Sequence, residues 1–85
     1  MGKLVIRVVD RVTKKPVSGA VVEIISPTFR TVEISKKDGS VEIELPNGTY
    51  DVVIHHRGYE PSKERVRVTN SVRIIIELEP IFKPL

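Results

Sequence analysis

No cysteine and no tryptophan occur in the 85 residues. The absence of thiols excludes disulfides, a thiolate nucleophile, an iron–sulfur cluster and any cysteine-ligated zinc site. Without tryptophan, the usual aromatic platform for stacking sugars is missing. Glutamine is absent too, while Val, Ile, Glu, Lys and Arg dominate. Proteins of high thermal stability lean the same way. Long apolar runs are also lacking. None approaches the roughly 20 residues of a membrane-spanning helix. The start, Met1-Gly2-Lys3-Leu4-Val5-Ile6-Arg7, is too short an apolar run for a signal peptide and enters a strand almost at once. Localisation stays open between the cytoplasm and a domain excised from a secreted or surface protein. Helical spacing of apolar residues is absent over any three turns, which excludes an amphipathic helix.

The chain instead alternates with period two. Leu4, Ile6 and Val8 stand out first, then Ala20, Val22 and Ile24. Val32 and Ile34 follow with Glu33 between them. Val41, Ile43 and Leu45 are split by Glu42 and Glu44, the pattern of a strand with one buried face. Tyr50, Val52 and Ile54 come next, then Val66 and Val68, then Val72, Ile74, Ile76 and Leu78. Turn residues punctuate these runs, at Ser18-Gly19, Ser26-Pro27, Asp38-Gly39, Asn47-Gly48, Arg57-Gly58 and Asn70-Ser71. Seven short strands at this spacing predict an all-β sandwich or barrel. Residues 1–79 form a single domain in this reading, because a chain of this length supports one core. Residues 80–85 form a C-terminal tail. Its Ile81, Phe82 and Leu85 either fold back on the sandwich or dock elsewhere. Two hairpins are expected. Asp38-Gly39 joins the third and fourth strands, and Thr69-Asn70-Ser71 joins the last two. The second hairpin places Arg67 opposite Arg73 and Lys63 opposite Glu77.

The segment VVDRVTKKPVSGAVVEI resembles the opening of carboxypeptidase regulatory-like domains, with an aspartate ending a strand and Gly19-Ala20 starting the next. KKDGSVEIELPNGTYDVVIHHRGY resembles the same family's Asp-Gly turn, Pro-x-Gly-x-Tyr turn and closing Gly-Tyr. The match covers roughly residues 4–79. It implies an all-β, seven-stranded antiparallel Greek-key β-sandwich of the transthyretin-like or prealbumin-like kind, usually an appended non-catalytic module, and a relation to PEGA and pilin-B-type domains. Gly19, Asp38, Gly39, Gly48, Tyr50, Gly58 and Tyr59 carry the resemblance, and their roles are structural. Gly48 is expected to need a conformation that a Cβ disfavours. Gly19 and Ala20 are expected to permit close approach of the second strand. Tyr50 places its ring in the core and its hydroxyl at the edge, within reach of backbone acceptors.

Two related chemistries find no support in the residues. Pilin-B-type domains join lysine to asparagine with help from a buried acid. Val8 and Ile54 stand at the matching positions of the lysine and the acid. Transthyretin-like hydrolases of the urate pathway end in a Tyr-Arg-Gly-Ser type tail, whereas this chain ends Phe82-Lys83-Pro84-Leu85. His55 and His56, the only histidines, point to opposite faces of a strand and cannot chelate one metal together. No catalytic residue, metal site or cofactor is expected. Asn47-Gly48-Thr49 is formally a glycosylation acceptor, but the turn accounts for it.

The net charge is +3. Arg7, Lys63, Arg65, Arg67 and Arg73 are candidates for one basic face that binds an anion or a partner. Like charges facing each other across strands are destabilising without a counter-charge. Nucleic acid is disfavoured, since aromatics do not interleave with these cations. Val5, Val9, Val21, Ile25, Val53 and Ile75 look outward by alternation. That is more apolar surface than a solvated sheet needs, and it favours protein contact or self-association. The alternative is a carbohydrate- or surface-binding accessory domain. A further alternative is a designed or excised stable scaffold without a function of its own.

Overall fold

The computed structural model describes residues 1–81. The expectations for Phe82, for Leu85 and for the closing Phe82-Lys83-Pro84-Leu85 run lie outside the described residues. Among those described there is no helix, and seven strands form: β1 (Gly2–Asp10), β2 (Val21–Ser26), β3 (Phe29–Ile34), β4 (Ser40–Leu45), β5 (Gly48–His55), β6 (Ser62–Val68) and β7 (Ser71–Leu78). They make two sheets, one ordered β4-β1-β7 and the other β3-β2-β5-β6.

Alternation places one side chain in two between the sheets. Leu4, Ile6 and Val8 from β1, Val22 and Ile24 from β2, Val52 and Ile54 from β5, Val68 and Leu78 are all fully buried. Each such aliphatic side chain contributes about 1.5–3 kcal/mol by leaving water. One buried polar side chain accompanies them among the described residues. The Ser35 hydroxyl donates to the Val17 carbonyl and accepts the Ala20 N–H, both at 2.8 Å. This pin closes the entry to β2, and no alternation pattern announces it.

The sheets are not wholly antiparallel. β1 pairs antiparallel with β4 but parallel with β7, from Lys3–Ser71 to Asp10–Leu78. Neither expected hairpin forms as a paired ladder. β3 and β4 lie in different sheets, and so do β6 and β7. The turn chemistry is present but serves as a crossing. Gly39 has φ +79°, and its carbonyl accepts the Val8 N–H at 2.8 Å. A Cβ on Gly39 would collide with the Val8 carbonyl and crowd Pro16. At the other crossing Asn70 takes φ +61°, and its carbonyl accepts the Lys3 N–H at 2.7 Å. β1 thus starts against that corner and supplies the partner that β7 would otherwise seek in β6.

Three further expectations change. Gly48 is not in the left-handed region, and a Cβ there would meet the Tyr50 ring at an ordinary 3.8 Å. Gly19 does have φ +77°, but nothing lies within 4 Å of its missing Cβ, so it serves the turn rather than a close approach. Val9 is buried, because Pro16 bridges to it and the loop after β1 folds over it.

Candidate interaction surfaces

Register defines the outer face of the four-stranded sheet row by row. Ile34, Val21 and His55 form one row. Val32, Glu23, Val53 and Lys63 form the next, and Arg30, Ile25, Asp51 and Arg65 the third. Val32 and Ile34 therefore point away from the core, with Thr31 and Glu33 on the inner side. Edge strand β3 reverses the reading suggested by its alternation. Val32 is 50% exposed and Ile34 56%. An acid on the inner side of an edge strand is a recognised guard against unwanted pairing.

The acids of this face are engaged. Glu23 holds Arg30, with His55 3.4 Å away, and Asp51 accepts from Arg65 at 3.2 Å. The Arg30 hydrogen bond holds the Glu23 carboxyl below its ordinary range. No group of three or more metal-binding side chains comes together among the described residues.

The expected single basic face is split in two. Lys63, Arg65 and Arg67 project from β6 on the outer face of the four-stranded sheet, opposite Val53, Asp51 and Thr49. Arg7 and Arg73 lie on the other side of the molecule, on the outer face of the three-stranded sheet. Arg73 lies beside Val5, not Arg67, because β7 pairs with β1. Arg7, Arg73, Asp38, Ser40 and Ile75 border a shallow hollow of about 390 Å³. Asp38 is held below its ordinary pKa by the Ser40 hydroxyl at 2.6 Å and the Ser40 N–H at 3.0 Å.

The family-like motif residues build the two ends of the sandwich. The Tyr50 ring is buried, and its hydroxyl donates to the Pro46 carbonyl at 2.6 Å, bracing the crossing from β4 to β5. At the opposite end the Tyr59 hydroxyl donates to Asp10 Oδ2 at 2.6 Å. Asp10 Oδ1 accepts the N–H groups of Val12 and Thr13, at 2.8 and 2.9 Å. One carboxylate thus shapes the loop after β1 and anchors the Gly58-Tyr59 turn, where Gly58 has φ +90°. The Tyr59 bond first, then Thr13, lowers the Asp10 pKa. The same bond raises that of Tyr59. His56 sets its ring edge-on to Tyr59, with its nitrogens 2.7 Å from the Arg57 carbonyl and 2.9 Å from that of Ser18. Pro80 bridges to Tyr59, and the Ile81 N–H donates to the Gly58 carbonyl, so the described part of the tail folds back here.

No curated protein matches the chain at a significant level. Solved structures do. The Bacillus anthracis TIE protein superposes with TM-score 0.75 at 24% identity, over 94% of this chain and 16% of that one. The group B streptococcus pilus 2b backbone protein gives 0.79 at 19%, over 93% and 41%. The Klebsiella pneumoniae 5-hydroxyisourate hydrolase gives 0.75 at 15%, over 94% and 86%. At these identities the likeness is one of fold, and it confirms a prealbumin-like sandwich. The model of the carboxypeptidase regulatory-like domain matches residues 3–79. With nearly its whole length inside that match and its motif residues at the two ends of the sandwich, the chain belongs to the carboxypeptidase regulatory-like domain family.

Proposed function

We propose that the chain is a non-enzymatic β-sandwich module that works by protein–protein contact, with a partner or with a second copy of itself. The carrying observation is the aliphatic surface left in water. Val32, Ile34 and Ile75 are 50%, 56% and 69% exposed, all on outer sheet faces and all on edge strands. Val32 and Ile34 adjoin on the outer face of one sheet and Ile75 lies on that of the other, and adjoining exposed aliphatic side chains mark contact sites. Family membership supports the non-catalytic half of the reading. Structural likeness to the pilus backbone protein fits a module that serves in assembly. The hydrolase neighbour shares the scaffold, and a shared fold does not carry a reaction with it. Light scattering over a concentration series, with a glycan array beside it, tests the proposal. Contact with a second copy predicts a mass above the 9.6 kDa chain at high concentration, and either form of contact predicts no glycan signal. A monodisperse monomer that binds glycans saturably would contradict it.

A further inference from the structure

Among the described residues β7 pairs on one side only, with β1. Among the described residues its other edge presents unpaired backbone N–H and C=O groups from Ser71 to Leu78, the template for adding a strand, and the turn at residues 58–60 takes over only beyond it, where the Glu79 carbonyl accepts the Glu60 N–H at 2.8 Å. With eight residues β7 is the longest of the four edge strands. Open hollows border it, one of about 390 Å³ beside Arg73 and Ile75, the other of about 480 Å³ between Ile75, Ile76 and Glu77 and the β6 residues Ser62 and Glu64.

The sequence of β7 is chemically symmetric about Ile75. Ile74 and Ile76 lie one residue away, Arg73 and Glu77 two, Val72 and Leu78 three. We propose that two copies of this chain join β7 to β7 antiparallel, about a two-fold axis through Ile75. This rests on the protein-contact reading and assigns its partner and its edge. In that register Ile75 faces its own copy. Arg73 faces the second copy's Glu77, and Glu77 faces the second copy's Arg73. Ile74 lies opposite Ile76, and Val72 opposite Leu78, on the core side. Side chains directly opposite in antiparallel strands share a face, and both matched sets obey this rule. The pairing is isologous, so one patch satisfies itself twice. The two three-stranded sheets become one sheet of six.

Charge selects this edge over the others. Pairing β4 with its own copy sets Glu42 or Glu44 against an acid. Pairing β6 with its own copy sets Lys63, Arg65 and Arg67 against cations. Self-pairing of β3 about Val32 puts Arg30 against Ile34, with nothing to complement it. Arg73 makes no ion pair among the described residues. Glu77 holds Lys14 at 2.6 Å, an exposed pair that leaves its carboxylate able to take a second cation.

Sedimentation equilibrium of the full chain, with thermal melts to confirm folding, tests the proposal. The wild type is expected to reach twice the 9.6 kDa chain mass as concentration rises. Ile75→Lys places two lysines across the axis and should hold the chain at monomer mass. Arg73→Glu alone and Glu77→Arg alone should do the same, each by facing like charges. The double variant Arg73→Glu/Glu77→Arg should recover the dimer. A wild type that stays monomeric overturns the proposal, as does a double variant that fails to recover. A dimer that survives Ile75→Lys also overturns it, but leaves the protein-contact reading standing.

Discussion

Two tyrosine hydroxyls fasten the ends of this sandwich, and they differ in what they bind. Tyr50 donates to a neutral carbonyl at Pro46. Tyr50→Phe removes that bond and leaves the ring in place. It should cost about 1 kcal/mol in urea unfolding, the usual net worth of one neutral hydrogen bond. Tyr59 donates to a carboxylate, so its contribution depends on pH. The Asp10 pKa is depressed in the folded chain. Its stabilisation is therefore complete above its unfolded value near 4 and is lost as pH falls through the folded value. The Tyr59 pKa is raised. Its stabilisation is complete below about 10 and is lost as pH rises through the folded value. The latch is thus strongest between about pH 4 and 10. The difference in thermal midpoint between wild type and Tyr59→Phe should be largest at neutral pH and shrink at both extremes. A difference that stays constant from acid to alkali would show that the latch does not titrate. Both tyrosines were legible from the Pro-x-Gly-x-Tyr and Gly-Tyr motifs. The partner of Tyr59 was not, because Asp10 is 49 residues distant and only the folded chain brings it near.

Individual strands were legible wherever one face is buried against a whole sheet. Leu4, Ile6 and Val8 show this, as do Val52 and Ile54. Pairing was less so. Asp38-Gly39 correctly signals a left-handed glycine, but the same turn chemistry serves a hairpin and a crossing between sheets. Nothing local in the sequence distinguishes the two. At an edge strand the phase itself is ambiguous, since little packs against either face. β3 shows the consequence, with Val32 and Ile34 in water. The double substitution Val32→Lys/Ile34→Lys should therefore change stability by no more than about 0.5 kcal/mol, as exposed substitutions do. Ile54→Ala should cost about 2–5 kcal/mol, as in other buried cores. A comparable loss in the β3 variant would mean that β3 faces the other way. Gly39→Ala adds backbone strain to a clash with Val8, and should cost about 2 kcal/mol or more. Denaturant midpoints measure all three.

Across the whole molecule, charge falls into separate zones. β6 presents cations on the outer face of one sheet, and β4 presents Glu42 and Glu44 on the outer face of the other. Charge on an exposed edge disfavours pairing of that edge with its own copy. The aliphatic positions are where such protection is missing. The basic face expected from the sequence dissolved once β6 and β7 proved to lie in different sheets, so an anionic ligand spanning all five cations has no surface to bind. Mass is the most direct readout of contact between copies of the chain. Light scattering of the wild-type chain at rising concentration should show the mass climbing from 9.6 kDa towards twice that value. A mass that stays at 9.6 kDa up to the solubility limit would contradict self-contact through β7.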